Sequence, residues 1–497
     1  MHETGGSVLE KNDILTVTIE DLTAEGEGVG KADGFPLFVK DTVPGDMVRC
    51  SVMKLKKGYG YARLLEILTP SPDRTEPRCP IARSCGGCQL EHLSYEAQLR
   101  FKTKRVEDTL RRIGGFTVQM AGEARSGEAP EGSVLLYPAL GMKDPWHYRN
   151  KAQVPIGKDR EGRIVTGFYA RHSHEIIPME SCSISFPEAQ LVLQTVKDWM
   201  LRFGVSAYDE ASGTGVLRHV LARKGMRTGE ILVCLVSRKR KVRHENELAE
   251  MLRDAVPGFA TLTVNINEAR DNVILGREGY VAYGAGFIED EICGLCFRIS
   301  PESFFQVNSE QMEVLYGKAL EFAGLTGEET VWDLYSGIGT ISLFLARKAK
   351  HVYGVEIVPQ AVRDARENAR LNGLTNVTFY EGAAEEVLPR WLSEHPEEHI
   401  DVIVVDPPRK GLDLTCLETI CRIAPSRVVY VSCDPATLAR DLALFRERGY
   451  HAELAQPVDQ FCQTVHVETV CCLHHQKKDF VSVPYEPKDA EYRKQDI

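Results

Sequence analysis

The sequence predicts an α/β protein whose C-terminal part is a doubly wound, mainly parallel sheet. Three observations lead to this class: strand and helix patterns alternate from about residue 310, residues 14–68 show strand patterns only, and residues 134–300 are rich in strands. A small barrel and a β-rich central region should therefore precede the α/β domain. The expected division of the chain is 1–72, 73–300, 301–476 and a charged tail, 477–497.

The N-terminal barrel is predicted from short alternating runs separated by glycines. The run at 14–19 alternates apolar and polar residues, and Gly26, Gly28 and Gly30 indicate a turn after it. Further short strands are expected at 35–39, 47–54 and 63–67. So many short strands in so short a segment favour an OB-like barrel, and such barrels commonly bind oligonucleotides.

The α/β domain is predicted from apolar runs that end in polar or glycine-containing loops. Strands are expected at 331–334, 351–357, 377–380, 402–405 and 428–432. Helices are expected at 341–348, 359–372 and 435–448. Pro359 near a helix start and Gly373 after a helix end are typical boundary residues.

Composition limits the classes of location and partner. The formal net charge is −11, which argues weakly against a nucleic-acid partner. Two basic segments, 49–63 and 218–243, are nevertheless compatible with phosphate-binding surfaces, and solvated loops are the alternative. No run of 18 apolar residues exists, so no membrane span is expected. Residues 1–15 do not resemble a signal peptide, and we expect a cytoplasmic protein.

A glycine-rich loop follows the first strand of the α/β domain. Gly337 and Gly339 allow the backbone to approach a ligand at the N-terminus of the next helix. Glu356 ends the next strand about 20 residues on, where a carboxylate can accept hydrogen bonds from ribose hydroxyls. Ser342 occupies the third glycine position of dinucleotide-binding loops, which disfavours an NAD dehydrogenase. The loop, Glu356 and the segment beginning at Asp406 resemble class I S-adenosylmethionine methyltransferases.

A cysteine and a carboxylate are the candidate reactive groups. Cys433 follows a buried strand and precedes a helix near Pro435, so it should lie at the carboxyl edge of the sheet, where a helix N-terminus favours the thiolate. Glu468 lies in the last apolar segment of the chain, and burial there would raise its pKa into the range of a general base. An inert core cysteine and a solvated carboxylate are the alternatives.

Four segments resemble the motifs of the RNA (uracil-5-)-methyltransferases. They are Phe304-Phe305-Gln306-Val307-Asn308, Asp406-Pro407-Pro408-Arg409, the segment 432–441 and the segment 463–468. The resemblance covers nearly the whole chain and implies a class I S-adenosylmethionine-dependent, Rossmann-like catalytic domain and an N-terminal TRAM domain that binds RNA. Two positions depart from the family pattern: Cys462, where proline is usual, and Ala383, where some members have a polar residue.

The resemblance implies a role for each site residue. Cys433 is the nucleophile that adds to C6 of uracil, and Glu468 is the base that removes the C5 proton after methyl transfer. The target base must leave its stack to reach both residues. The residues expected to bind S-adenosylmethionine or line the pocket are Gln306, Tyr335, Gly337, Gly339, Glu356 and Asp406.

A separate cysteine cluster is expected to hold a metal group. Cys79, Cys85 and Cys88 lie in a turn-rich segment, and soft thiolates suit iron–sulfur clusters or zinc. The resemblance implies a [4Fe–4S] cluster with Cys182 as the fourth ligand, and zinc is the alternative. The rival fourth ligand is the pair at 293 and 296, which we interpret as a hairpin turn, while His92 is expected to be structural.

The resemblance implies an RNA substrate. Within the family, a TRAM barrel together with a cysteine cluster is typical of the enzymes that act on 23S ribosomal RNA, so the resemblance implies this RNA as the substrate. A tRNA uracil-5-methyltransferase is the alternative within the family. A non-catalytic RNA-binding or iron–sulfur assembly factor is disfavoured because both Cys433 and Glu468 are present. An RNA cytosine-5 methyltransferase would use a cysteine but needs no base of this type in this order. We expect a monomer, and the sequence does not name the target uridine.

Overall fold

The structure is a computed structural model that describes residues 9–122, 132–170, 175–210 and 212–476. The tail predicted at 477–497 lies outside the described residues. The described part consists of a closed barrel, a seven-stranded sheet, a two-stranded hairpin and a nine-stranded sheet. The barrel and the α/β class predicted from the sequence are thereby confirmed.

The first five strands close into the N-terminal barrel in the order β1-β2-β3-β5-β4. They are β1 (Ile14–Leu22), β2 (Gly28–Ala32), β3 (Phe35–Val39), β4 (Met47–Leu55) and β5 (Gly60–Thr69). Gly28 and Gly30 belong to β2, so the turn predicted for them is wrong at these two positions. A Cβ on Gly28 would lie 2.0 Å from Thr42 Oγ1, so glycine is required there by a close approach inside the barrel.

The next three elements pack with the C-terminal region and not with the central one. They are α1 (Tyr95–Arg112), β6 (Thr117–Met120) and β7 (Ser133–Leu136). β7 pairs with a strand near the C-terminus, where Leu135 stands opposite Leu454, and β6 pairs with β7 at the edge of the nine-stranded sheet. Although these elements precede residue 301, they therefore complete the C-terminal sheet. The predicted boundary between 73–300 and 301–476 does not separate the two sheets cleanly.

The central region forms a seven-stranded sheet in the order β10-β9-β8-β11-β12-β13-β14. Its elements are β8 (Lys151–Lys158), β9 (Ile164–Tyr169), β10 (Ile176–Pro178), α2 (Glu188–Phe203), β11 (Leu217–Lys224), β12 (Ile231–Ser237), α3 (Glu245–Ala255), β13 (Phe259–Ile266) and β14 (Glu278–Tyr283). A hairpin follows, made of β15 (Ile288–Ile292) and β16 (Leu295–Ile299). Its turn has positive φ at Cys293 (48°) and Gly294 (75°), so the predicted hairpin is confirmed.

The C-terminal region alternates helices and strands. Its elements are α4 (Ser309–Ala323), β17 (Thr330–Leu334), α5 (Thr340–Ala346), β18 (His351–Glu356), α6 (Pro359–Leu371), β19 (Val377–Glu381), α7 (Ala384–Glu394), β20 (Val402–Val405), α8 (Leu414–Ile423), β21 (Arg427–Ser432), α9 (Pro435–Glu447), β22 (Tyr450–Val458) and β23 (Glu468–His475). The sheet order is β19-β18-β17-β20-β21-β23-β22-β7-β6. The first five strands of this order run parallel, and β23 runs antiparallel to both of its neighbours.

The reversed direction of β23 decides where its ends lie. Glu468 is the first residue of this strand, and an antiparallel strand begins at the edge where its parallel neighbours end. Glu468 therefore lies at the start of the last strand, and this start is at the carboxyl edge of the parallel strands.

A buried ion pair ties α1 to the C-terminal sheet. The Lys102 ammonium donates to the Asp459 carboxylate, and both side chains are fully buried. The Tyr95 hydroxyl donates to the same carboxylate at 2.8 Å, and the Lys102 ammonium also donates to the Phe461 carbonyl at 3.0 Å. Because the pair is hydrogen-bonded on several sides, both charges remain compensated inside the protein.

Lys102→Met should lower the free energy of unfolding by about 3–5 kcal/mol, since it leaves the Asp459 carboxylate buried without its cation. Thermal and denaturant unfolding would measure the loss. Lys104→Met is the matched control, because Lys104 lies on the same helix, is 47% exposed and pairs only with surface acids. Equal stability of the two variants would contradict a structural role for the buried pair.

Candidate active site

The carboxyl edge of the nine-stranded sheet gathers the predicted site residues. Glu356 ends β18, Asp406 follows β20 and Cys433 follows β21. In the antiparallel pair of β21 with β23, Ser432 stands opposite Thr469, which brings Cys433 opposite Glu468. Residues 35 positions apart in sequence thus share one end of the sheet because of strand pairing alone.

The loop between β17 and α5 bends through three residues with positive φ. They are Tyr335 (71°), Gly337 (54°) and Gly339 (83°). A Cβ on Gly339 would lie 2.9 Å from Phe379 Cζ, whereas a Cβ on Gly337 would meet only open space. Gly339 is therefore required by packing, and Gly337 leaves room beside the crevice.

Ser342 explains why the third position of the loop pattern is not glycine. Its hydroxyl donates to Asp333 Oδ2 at 2.5 Å, inside the core beneath the loop. Burial raises the pKa of Asp333 to about 7. Asp333 Oδ1 and Ser336 Oγ are buried and have no hydrogen-bond partner in the described part of the chain. Unsatisfied polar atoms beneath an open loop fit a site that binds a polar ligand.

Glu356 fastens the glycine loop. Its carboxylate accepts hydrogen bonds from the Gly337 N–H at 3.0 Å and from the Val358 N–H at 2.8 Å. A carboxylate has further lone pairs, so it can still accept from hydroxyl groups of a ligand. The next two side chains, Ile357 and Val358, are apolar and 67% and 50% exposed. Sequence reasoning missed this apolar surface, although two branched aliphatic residues after a strand-ending acid were a visible signal.

Gln306 enters the site from the segment before α4. Its side chain is buried, and its Oε1 accepts a 3.4 Å hydrogen bond from Gln460 Nε2. Gln460 Oε1 is buried without a described partner. Tyr316 is a buried residue of α4. Its hydroxyl oxygen lies 3.5 Å from Thr340 Oγ1 at the start of α5. Neither Gln460 nor Tyr316 was predicted, because no local sequence pattern shows the contacts that bring their side chains to the site.

Two buried carboxyl groups, those of Asp406 and Glu468, lie close together in the crevice. Burial, and then the charge of Asp406, raises the pKa of Glu468 to about 8, while burial raises the pKa of Asp406 to about 7. Glu468 is 3% exposed, so the predicted burial is confirmed. Arg409 is the cation that opposes the rise at Glu468. Carboxyl groups that titrate near neutral pH can both take up and release protons.

Cys433 does not have the low pKa expected of a helix N-terminus. Burial first, and then the charges of Glu468 and Asp406, raises the pKa of its thiol to about 12. The side chain of Asp434 caps α9 and accepts from the N–H groups of Ala436 (2.9 Å) and Thr437 (3.0 Å). These donors are therefore satisfied by a carboxylate instead of facing the thiol, and the predicted stabilisation of the thiolate is wrong for the ligand-free protein.

The four predicted cysteines line one small cavity. Cys79, Cys85, Cys88 and Cys182 meet around a space of about 20 Å³, together with Glu91. Burial raises the pKa of the Cys79 and Cys88 thiols. Among the described residues, no three His, Cys, Asp or Glu side chains form a group that could hold a metal ion.

The rival metal ligands lie elsewhere. Cys293 and Cys296 belong to the β15–β16 hairpin, where the Cys296 N–H donates to Asn372 Oδ1 at 2.8 Å. His92 Nε2 contacts the Thr42 carbonyl of the barrel at 3.3 Å. Neither the hairpin cysteines nor His92 line the cavity of the other four thiols.

The two basic segments differ in their surroundings. Segment 218–243 uses its arginines internally: Arg218 donates to the carbonyls of Asn267 and Ala269, and Arg223 to those of Ser300 and Ser303. These two arginines are buried and stabilise the central sheet, whereas Lys239, Lys241 and Arg243 of the same segment are exposed.

Segment 49–63 lies on the outer surface of the barrel. Lys54, Lys56 and Lys57 are exposed. The ring of Tyr59 stacks on Phe38 with a centroid distance of 5.1 Å. Cations beside aromatic rings suit the phosphates and bases of single-stranded nucleic acid. In the described part of the chain, no helix is long and apolar enough to cross a membrane.

Comparison with known proteins agrees with this architecture. The sequence profile of the tRNA (uracil-5-)-methyltransferase family matches residues 144–476, and that of the TRAM domain matches residues 9–65. A protein of Halalkalibacterium halodurans described as an uncharacterized RNA methyltransferase is 50% identical over 94% of this chain and 98% of its own length. One of Listeria monocytogenes with the same description is 47% identical over 94% of this chain and 99% of its own length.

A solved structure shows the same fold over most of the chain. The tRNA (uracil-54, C5)-methyltransferase of Pyrococcus abyssi, in complex with S-adenosyl-L-homocysteine, has a TM-score of 0.72 and 26% identity, and the match covers 92% of this chain and 100% of the other. The family profile spans most of this chain, and the relatives match along nearly their whole lengths. The chain therefore belongs to the family of RNA (uracil-5-)-methyltransferases and carries a TRAM domain at its N-terminal end.

Proposed function

We propose that the protein methylates C5 of a uridine in 23S ribosomal RNA, with S-adenosylmethionine as the methyl donor. The observation that carries the proposal is the position of Cys433 opposite Glu468, at the sheet edge that also bears the glycine loop and Glu356. C5 of uracil is a weak nucleophile, and a thiolate and a separate base are the two groups that its methylation requires. We further propose that the protein acts as a monomer in the cytoplasm.

The two reactive side chains act in sequence. The Cys433 thiolate adds to C6 of the uracil ring, and the electron pair displaced from the C5–C6 bond makes C5 nucleophilic. C5 takes the methyl group, and S-adenosylhomocysteine is left. Glu468 then removes the proton from C5, the C5–C6 double bond forms again, and the thiolate leaves C6. The sulfonium of the methyl donor supplies the electrophilic methyl group and a positive charge.

The remaining residues at this edge of the sheet would bind and orient the methyl donor and the uracil. Tyr335, Gly337 and Gly339 shape the loop beside the crevice, and Glu356 would accept hydrogen bonds from the ribose hydroxyls of the donor. Asp406 lies near Glu468, and Gln306 contacts Tyr316, which is near both carboxyl groups. From these positions, Asp406 and Gln306 would orient the donor and the uracil edge. The target base has to be unstacked to enter, because the Cys433 and Glu468 side chains lie in a crevice.

The four cysteines that share a cavity are proposed to hold a [4Fe–4S] cluster. Cys79, Cys85, Cys88 and Cys182 supply four thiolates, which is the donor set of such clusters. The support for this proposal is the shared cavity of the four cysteines, because the described residues contain no ready-made group of three metal ligands. Bound there, the group would cross-link the cysteine segment to the central sheet, because Cys182 follows β10.

The alternative substrate is tRNA. It is favoured by the solved tRNA enzyme, which matches 92% of this chain. The cysteine cavity and the exposed aromatic and basic surface of the barrel support the ribosomal substrate. Mapping 5-methyluridine in 23S ribosomal RNA and tRNA from cells with and without the gene would decide. Loss of the modification from tRNA alone would exclude the ribosomal proposal, and no loss from either RNA would favour a non-catalytic role.

Glu468→Gln should slow turnover by about 10²–10⁴-fold, because the C5 proton cannot leave without a base. The variant should still attack C6 and transfer methyl, so a covalent RNA–protein adduct that carries label from the methyl donor should survive denaturing electrophoresis. The double variant with Cys433→Ala should form no adduct, and Cys433→Ala alone should still bind S-adenosylmethionine in calorimetry. Wild-type turnover by Glu468→Gln would exclude Glu468 as the base.

The raised pKa of Glu468 also predicts how stability depends on pH. Between its ordinary value near 4.5 and about 8, the folded protein holds a proton that the unfolded chain has lost, so the free energy of unfolding should fall as pH rises through this window. Glu468→Gln removes this titration and should reduce the slope by about 1.4 kcal/mol per pH unit. Denaturant unfolding between pH 5 and about 8 measures it. Glu328→Gln, at an exposed position at the opposite edge, is the control, and parallel curves for Glu468→Gln and wild type would contradict the assignment.

Protein purified without air should be brown and should contain about four iron atoms per chain. Cys182→Ser should lose the iron, because it removes one of the four cavity thiols. Cys293→Ser is the matched control and should keep the iron, since Cys293 belongs to the hairpin. Iron analysis and the visible spectrum measure both. Colourless protein with stoichiometric zinc would exclude the iron–sulfur proposal.

A further inference from the structure

The loop that leads into Glu468 is held by elements from outside the C-terminal region. This base loop, residues 459–467, connects β22 to β23, and Val458 stands opposite Glu468 where the loop closes. Its position therefore sets the position of Glu468. Most of its backbone carbonyls are bound by groups from elsewhere in the chain.

One face of α1 points at the base loop. Gln98, Lys102 and Arg105 follow helical spacing, and each donates to the loop. Arg105 Nη1 reaches the Val465 carbonyl at 2.5 Å. The residues that these contacts join lie 359 to 365 positions apart in sequence, and the helix contributes no group to the proposed chemistry.

Gln98 makes the most specific of these contacts. Its Nε2 donates to Gln463 Oε1 at 2.9 Å, and its Oε1 accepts from the Gln463 backbone N–H at 3.1 Å. The same Nε2 lies 3.1 Å from the Leu90 carbonyl and 2.9 Å from the Leu93 carbonyl. Gln98 is 1% exposed and Gln463 2% exposed, so their paired side-chain amides are shielded from water.

Gln463 needs such a partner because its backbone is strained. Its φ is 69°, in the left-handed region that side chains other than glycine rarely adopt. On the other side, its carbonyl accepts from the N–H groups of Gln89 and Leu90, both at 3.0 Å. Gln463 is thus held on one side by α1 and on the other by Gln89 and Leu90, which directly follow Cys88. It lies five positions before Glu468.

We propose that Gln98 is a positioning residue for Glu468: its paired amide holds Gln463 in the left-handed conformation and so fixes the base loop. This inference rests on the proposed function, in which Glu468 removes the C5 proton. Loss of the clamp should misplace Glu468 while Cys433, which follows a different strand, keeps its position. The two halves of the reaction should therefore separate.

Gln98→Ala is the test, with RNA that carries tritium at C5 of uridine and a methyl donor labelled with carbon-14. Methyl transfer into the covalent adduct should stay close to the wild-type rate. Tritium release should slow by about ten- to a hundredfold, because a small displacement of a base greatly reduces its efficiency. The methylated adduct should persist on denaturing gels, and the affinity for S-adenosylhomocysteine should not change.

Two further variants separate positioning from general damage. Arg100→Ala is the control on the exposed face of α1 and should release tritium normally. Gln463→Ala leaves α1 intact, keeps the strain of the positive φ and removes the paired side-chain amide, so it should show the same selective defect even if Gln98→Ala fails to fold. Equal loss of methyl transfer and tritium release in Gln463→Ala, or no loss of either, would overturn the proposal. An inactive wild-type enzyme would instead refute the proposed function itself.

Discussion

The direction of one strand determines the whole candidate site. β23 is inserted antiparallel between β21 and β22, and only this direction brings its first residue to the edge where the parallel strands end. With a parallel β23, Glu468 would lie at the opposite end of the sheet, about 20 Å or more away for a strand of this length. The base loop connects β22 to β23, so it is part of the same antiparallel pairing that positions Glu468. Side chains of α1 donate hydrogen bonds to this loop.

Electrostatics at this edge favours neutral side chains. Burial is the main cause of the raised pKa of Asp406, Glu468 and Cys433. The charge of Asp406 adds to the rise at Glu468, and the charges of both carboxyl groups add to the rise at Cys433. Arg409 is the nearby cation that lowers the pKa of both Cys433 and Glu468. A site so poor in positive charge is complementary to a cationic ligand, and the sulfonium of the proposed methyl donor carries such a charge. A positive charge close to Cys433 would lower the pKa of its thiol.

The sequence predicted the parts of the fold that depend on local pattern. The barrel, the strand-helix alternation and the hairpin at Cys293 follow from periodicity and turn residues, and the structure has them. The wrong predictions have two causes. Some depend on contacts between residues that are distant in sequence, and others on a neighbouring side chain that takes the same hydrogen-bond donors. Gly28 is glycine because of Thr42, and the helix donors near Cys433 are taken by Asp434. The clamp on Gln463 could not be predicted, since no local pattern connects it to Gln98.

The edge strands β6 and β7 have a consequence for how the chain folds as it is synthesised. Gln456 near the end of β22 donates to the carbonyl of Pro138, 318 residues earlier in the sequence. On the ribosome, β6 and β7 emerge long before β22 exists, and until then their paired edge has no neighbour. Closing contacts of such separation is slow, so the C-terminal sheet is completed only after nearly all of the chain has emerged. A fragment that begins at residue 301 would lack these strands and would expose the edge of β22 to association with other chains.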